Sequence, residues 1–150
     1  MGSTGLAADP AVERHDPGPG HPEQPARFRA VMNRLEVSGL LSGLVRLPAR
    51  RASDDELAIV HTREYIQLVE REVAQHRSQL STGDTAIRAH SAEAARVAAG
   101  CALAAVDAVC VAKVDRAFCA VRPPGHHASA ARGMGFCLFL PRPHQLRTKS

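Results

Sequence analysis

Two adjacent histidines, His126 and His127, are the residues of this chain best suited to chemistry. They follow Pro123, Pro124 and Gly125, which exclude a helix and form a turn that is stiff on one side of the imidazoles. Imidazole is the side chain most often used for proton transfer in catalysis. The strand-like run before the turn places both rings at the carboxyl end of a strand, where open α/β sheets hold their ligand crevices. The pattern indicates a catalytic loop, and a plain surface turn is the alternative.

Strands and helices alternate along the chain before this turn. Thr4–Ala8, Leu44–Leu47 and Ala117–Val121 are short apolar runs that are typical of buried strands. Helical patterns lie between them, including one whose apolar residues recur every three to four positions after Pro25. This order predicts an α/β fold with a parallel sheet.

The connections between the strands are predicted to be mostly helical. One helix starts at Pro25 and another follows Thr62, while Val12–Gly20 is predicted to be a loop because of its Pro-Gly turns. The longest helix is predicted over Ser91–Lys113, with Ser91 as its N-cap. Charged residues interrupt its apolar surface, so a buried crossover helix is favoured over a membrane span.

Composition limits the classes of function. The chain has 150 residues, at most one domain, and a net charge of +4, of which Arg142, Arg147 and Lys149 supply three charges near the end. Since the rest is nearly neutral and only 3% of residues are aromatic, no nucleic-acid partner is expected. The four cysteines form no C-x-x-C pair and are interpreted as reduced thiols. With no visible signal peptide, this predicts a cytoplasmic protein.

The segment around the two histidines resembles a known enzyme family. Arg-Pro-Pro-Gly-His-His-Ala, followed by Gly-Phe-Cys-x-Phe, is similar to the zinc-dependent histone deacetylase and acetylpolyamine amidohydrolase family, of the class II type. The resemblance covers residues 4–139. It implies the N-terminal part of the arginase/deacetylase fold, a three-layer arrangement in which strand 1 lies between strands 2 and 3. It also implies hydrolysis of the amide in an acyl-lysine or acyl-polyamine substrate, with zinc as the cofactor.

The resemblance implies roles for the residues of the motif. His126 would act mainly through its charge, and His127 would be the general base and acid. Gly135 would bring a backbone carbonyl close to the acyl amide. Phe136 would form a wall of an apolar tunnel for the substrate chain, and a phenylalanine of the core is the alternative.

Residues far from the histidines in sequence are also implicated. Arg27 follows a His-Pro-Glu-x-Pro pattern and would line an internal channel, although a solvated helix residue is the alternative. Asp84 would hold the substrate backbone at the rim of the pocket, although aspartate is also common in turns. His21 is interpreted as a structural loop residue, and His61 and Tyr65 as packing residues.

The family's zinc ligands are expected beyond the Gly-Phe-Cys segment, so no metal ligand is assigned here. Three protein ligands are needed for a catalytic zinc site, and no such set is recognised. The chain is therefore predicted to be a truncated deacetylase that is inactive alone, with residues 140–150 as an aberrant basic tail. A divergent natural terminus is the alternative. The second hypothesis is a non-catalytic module that pairs with a separate C-terminal half or another protein, and the open edge of strand 3 favours self-association.

Overall fold

The computed structural model describes residues 2–142, which form a three-stranded parallel sheet with four α-helices. The strands are β1 (Thr4–Ala8), β2 (Leu44–Arg46) and β3 (Arg116–Ala120), in the order β2-β1-β3. Thr4 pairs with Leu44 on one side and with Arg116 on the other. The predicted α/β class, the parallel sheet and the central place of the first strand are confirmed. Of the predicted tail, residues 143–150 lie outside the described residues.

Local sequence signals determine where the helices begin. Pro25 occupies the first turn of its helix, and Thr62 caps another by accepting a hydrogen bond from the backbone N–H of Tyr65. Ser53 and Glu56 form a reciprocal capping box around a short helix. The helices in chain order are α1 (Pro25–Val37), α2 (Asp54–Leu57), α3 (Arg63–Ala74) and α4 (Ser91–Cys110).

Several of the predicted boundaries are wrong. Pro10–Arg14 forms a 3₁₀ helix that overlaps the start of the predicted Val12–Gly20 loop, because the Asp9 side chain accepts a hydrogen bond from the N–H of Ala11. α4 ends at Cys110 rather than at Lys113.

The predicted N-cap of α4 is also wrong. Ser91 is the first residue of the helix, and His90 occupies the cap position without a capping side-chain hydrogen bond. The Ser91 hydroxyl accepts from the N–H of Arg88 and lies 2.8 Å from Nδ1 of His15. Its oxygen is therefore used to join the start of α4 to the N-terminal part of the chain.

α4 separates two hydrophobic cores. One core contains the sheet, with Leu6, Ala7 and Phe28 against the Cys101 side of the helix. The other core lies under α3. Its buried residues are Ala52, Leu57, Tyr65, Ile66, Val69, Val73, Leu80, Ile87, Ala95, Ala99, Leu103, Leu138 and Phe139. Because neighbouring residues of β1 are buried together, both faces of the sheet are covered there, as the predicted layered arrangement requires. Within the described part of the chain, no helix is long and apolar enough to cross a bilayer.

Gly100 lies where the chain after β2 crosses α4. The N–H of Ala52 donates to the carbonyl of Arg96 at 2.9 Å, which holds the crossing segment against the helix. A Cβ at Gly100 would overlap the carbonyl oxygen of Arg50. The helix therefore needs glycine here in spite of its low helix propensity.

A buried guanidinium connects the end of β3 to the loop before α1. Arg122 is 3% exposed, and its Nη1 donates to the carbonyl oxygens of Val12 at 2.7 Å and His15 at 2.5 Å. Its Nε and Nη2 donate to the two carboxylate oxygens of Glu23, at 3.2 and 2.5 Å, and Glu23 is 2% exposed. This bidentate pair fixes the point from which the histidine turn leaves the sheet.

His15 lies beside this ion pair as a neutral ring. Burial, together with the positive charge of Arg122, lowers the pKa of His15 to about 3. Its Nε2 is 3.7 Å from the Glu23 carboxylate, and its Nδ1 faces the Ser91 hydroxyl. The N-terminal loop, α4 and the end of β3 thus meet in one buried polar cluster.

We expect Gly100→Ala to destabilise the chain by about 1–3 kcal/mol, because the added methyl group must displace backbone rather than a mobile side chain. Helix propensity alone would give the opposite sign. Gly43→Ala is the control, since no heavy atom lies within 4 Å of a Cβ at that position. Urea unfolding of both variants measures the difference, and a stabilised Gly100→Ala chain would contradict the described crossing.

We expect Arg122→Leu to cost about 3–5 kcal/mol, because it leaves the buried Glu23 carboxylate without its main partner. Arg29→Leu removes an exposed arginine paired with Glu13 and should cost less than about 1 kcal/mol. Urea unfolding compares the two substitutions. Equal small effects would show that the Arg122 pair is not desolvated.

Candidate active site

The turn after β3 presents the two histidines to solvent. His126 and His127 are both exposed, and their ring centroids lie 4.2 Å apart with the planes inclined by 56°. The turn closes with a hydrogen bond from the N–H of Ala128 to the carbonyl of Gly125 at 3.0 Å. Two accessible imidazoles in contact can accept and donate protons at one place, as their sequence context predicts.

Gly135 packs directly against the ring of His127. A Cβ at Gly135 would lie 2.8 Å from Cδ2 of His127, and the residue has a φ of +59°. Both the close approach and the left-handed backbone require glycine. The N–H of His127 donates to Sγ of Cys137 at 3.3 Å, which ties the same two stretches together. Burial raises the pKa of the Cys137 thiol and favours its neutral form.

Phe136 is placed by contacts from two other loops. It has a φ of +66°, which is rare for a residue with a side chain, and its ring meets that of His21 edge-on at 4.7 Å between centroids. The N–H of Gly135 donates to Oδ1 of Asp84 at 2.7 Å. Asp84 therefore holds the backbone just before Phe136.

Most of the predicted site residues face one cleft. His126, His127, Gly135, Phe136 and Arg27 all line it, whereas Asp84 contacts this group through its hydrogen bond to Gly135. The sequence analysis missed three further lining residues, which are Pro22, Glu23 and Pro124. The signal for Glu23 was its place beside Arg27 in the His-Pro-Glu-x-Pro pattern.

A smaller cavity of about 120 Å³ lies next to the cleft and shares two of its lining residues, Glu23 and Arg27. Arg27 donates from Nη1 to Oε1 of Glu23 at 3.2 Å, and its side chain is 64% exposed. The remaining walls come from α1, from β3 and from the two residues after β3. These lining residues are Phe28, Val31, Phe118, Cys119, Ala120, Val121 and Arg122. Arg27 thus borders both spaces.

The described residues do not form a metal site by themselves. Over residues 2–142, no group of three His, Cys, Asp or Glu side chains is close enough to hold one ion. Nor does any buried side-chain nitrogen or oxygen in that part of the chain lack a hydrogen-bond partner. A catalytic zinc ion needs three protein ligands, so the cleft as described does not fit one.

Comparison with known proteins identifies relatives of the region that forms this cleft. The histone deacetylase domain model matches residues 21–140. The chain is 41% identical over 122 residues to polyamine deacetylase HDAC10 of Homo sapiens, covering 78% of this chain and 18% of that protein. It is 35% identical over 143 residues to histone deacetylase 5 of Arabidopsis thaliana, covering 90% of this chain and 22% of that protein.

A bacterial relative and a solved structure agree with this assignment. The histone deacetylase-like amidohydrolase of Pseudomonas aeruginosa is 39% identical over 120 residues, which cover 80% of this chain and 31% of that protein. The crystal structure of the HDA15 HD domain superposes with a TM-score of 0.84 at 34% identity, covering 92% of this chain and 40% of that one. The chain spans less than half the length of these relatives. It belongs to the histone deacetylase family.

Proposed function

We propose that this chain supplies the tandem-histidine part of a deacetylase active site that hydrolyses acyl-lysine or acyl-polyamine amides. The observation that carries the proposal is the contact of His126 and His127 in a cleft also lined by Gly135 and Phe136. Residues 4–139 would form the N-terminal portion of the domain, with residues 140–150 as a basic tail. Polyamine deacetylase HDAC10 and the Pseudomonas aeruginosa amidohydrolase support an amide substrate.

We assign proton transfer to His127. Its exposed ring can take a proton from the attacking water and return it to the leaving amine, while His126 beside it stabilises developing negative charge. Gly135 packs against the His127 ring, and both residues line the cleft in which the substrate amide would lie. Zinc supplies Lewis-acid activation in the complete enzymes of the family. Because the described residues contain no group of three potential ligands, its ligands would not be a set taken from them alone.

Asp84, Phe136 and Arg27 are assigned to substrate binding and to the internal channel. One carboxylate oxygen of Asp84 holds the Gly135 amide, which leaves the other available for a backbone N–H of the substrate. Phe136 would line the tunnel for the apolar stem of the acylated chain. Arg27 borders both the cleft and the smaller cavity next to it, which supports its assignment to a channel.

A second function, association through the sheet edge, has its own support. β3 pairs with β1 on one side only, so among the described residues its other edge has no strand partner. Phe118 on this strand is 45% exposed, and on the opposite face of the strand Ala117 and Cys119 line an apolar groove together with residues of α4. Such an edge favours pairing with another chain.

The four thiols are free, which suits a reducing compartment such as the cytoplasm.

We expect the purified chain to show no turnover of an acetyl-lysine peptide or an acetylated polyamine, with or without added zinc, because its described residues offer no ligand set. A chimera carrying residues 21–140 in place of the matched region of the Pseudomonas aeruginosa amidohydrolase should be active. His127→Ala in that chimera should lower kcat about 10²–10⁴-fold, and His90→Ala should leave it unchanged.

Two outcomes would contradict these assignments. Turnover by the isolated chain that His127→Ala abolishes would refute its predicted inactivity. A chimera with the circular dichroism of the parent but equal activity in the His127→Ala and His90→Ala forms would refute the role of His127.

We expect the purified chain to be oligomeric or aggregated, because the free edge of β3 and the exposed ring of Phe118 favour association. Size-exclusion chromatography with light scattering measures the molar mass. Phe118→Lys places a charge on this edge and should increase the monomer fraction, whereas Val37→Lys, at an exposed position on α1, should not. A monodisperse monomer would contradict the association hypothesis.

A further inference from the structure

The buried histidine before α3, His61, holds both ends of the loop that contains Gly135 and Phe136. Its Nδ1 lies 2.8 Å from the carbonyl oxygen of Ser129, and its Nε2 is 2.9 Å from the backbone nitrogen of Leu140. The side chain is nearly inaccessible, at 2% exposure for the residue. One imidazole therefore connects two points of the chain that are eleven residues apart.

These two contacts determine the protonation state of the ring. A carbonyl oxygen can only accept a hydrogen bond, so Nδ1 of His61 must carry a proton. The Leu140 N–H can only donate, so Nε2 must keep its lone pair. Only the neutral ring with its proton on Nδ1 satisfies both partners. An imidazolium would place an N–H against the N–H of Leu140.

The surroundings favour the same neutral form. Burial lowers the pKa of His61, and the hydrogen bond to Ser129 opposes this in part. The titratable group that faces the ring is Tyr65 of α3, at 5.2 Å between centroids, and burial keeps its hydroxyl neutral by raising its pKa. On the loop side the ring meets the backbone and Phe139 at 5.7 Å, none of which titrates.

Neighbouring residues attach the same loop at further points. The N–H of Thr62 donates to the carbonyl of Ala130 at 2.8 Å, and Tyr65 Oη donates to the carbonyl of Leu138 at 2.9 Å. Thr85 Oγ1 donates to the carbonyl of Cys137 at 3.1 Å. Each of these donors binds a carbonyl, so among these contacts His61 is the acceptor that binds an N–H of the loop.

We propose that His61 is a positioning residue whose neutral ring closes the Ser129–Leu140 loop and so holds Gly135 against His127. The proposal rests on the proposed function only in treating His127 as catalytic. The contact acts through Gly135, whose backbone lies against the His127 ring. It makes the geometry of the cleft dependent on the protonation of a residue outside the cleft.

The direction of the pH dependence follows from the lowered pKa. Because the folded chain binds this proton more weakly than an unfolded histidine with a pKa of about 6.5, the closed loop is fully stabilised above that pH. It loses the Leu140 contact as the pH falls through the lowered pKa of His61. Acidification should therefore open the loop at its Leu140 end first.

Histidine-selective ¹⁵N NMR and peptide-level hydrogen exchange on the full chain test this, and neither requires activity. We expect His61 to be neutral with its proton on Nδ1 near neutral pH. Exchange of the Leu140 amide, corrected for its intrinsic pH dependence, should become about tenfold faster on acidification. The His127 ring signals should show a second inflection at the midpoint of His61.

Two variants separate positioning from general stability. His61→Gln can still accept from the Leu140 N–H and does not titrate, so slow exchange should persist at low pH and the second inflection of His127 should disappear. His61→Ala should exchange about tenfold faster at every pH. His90→Gln, the same change at an exposed histidine, should keep the wild-type behaviour.

The outcomes distinguish this proposal from the proposed function. A protonated His61 or a proton on Nε2 near neutral pH would overturn it, as would a second His127 inflection that persists in His61→Gln. If His61→Ala does not fold, the wild-type and His61→Gln titrations decide the matter. A folded, active chimera whose activity His127→Ala does not lower, combined with the expected titrations, would refute only the catalytic role of His127.

Discussion

The structure depends on a charge that is not exposed to water. The guanidinium of Arg122 can be buried at the end of β3 only if every donor finds an acceptor, and the loop before α1 provides them through Val12, His15 and Glu23. Arg122 and Glu23 are 99 residues apart in sequence. This single requirement joins the segment before α1 to the end of β3, and it builds one wall of the cleft at the same time, since Glu23 lines it.

Local signals were sufficient for much of the fold. The capping residues Ser53 and Thr62 and the proline at the start of α1 act within one helical turn, so their effects can be seen in the sequence. The strand order came instead from the family resemblance. Ser91 shows the limit of local reasoning: a serine before an apolar helix is a good cap, but here a distant histidine, His15, occupies its hydroxyl.

In the candidate site, too, some residues could be found from local sequence signals and others depend on contacts between distant residues. The tandem histidines and the Gly-Phe pair could be found because they belong to one contiguous motif. The hydrogen bond between Asp84 and Gly135 spans 51 residues, and that between His61 and Leu140 spans 79. No periodicity or spacing rule relates such positions. The resemblance pointed to Asp84, whereas His61 looked like a packing residue because its two polar partners are backbone groups.

At Phe136 the backbone conformation is unfavourable, whereas the side chain makes contacts that glycine could not make. A φ of +66° costs roughly 1 kcal/mol or more for a residue with a side chain, and glycine would remove that cost. Glycine would also remove the ring that contacts His21 and lines the cleft. The strained backbone at Phe136 is therefore kept together with ring contacts that glycine could not provide.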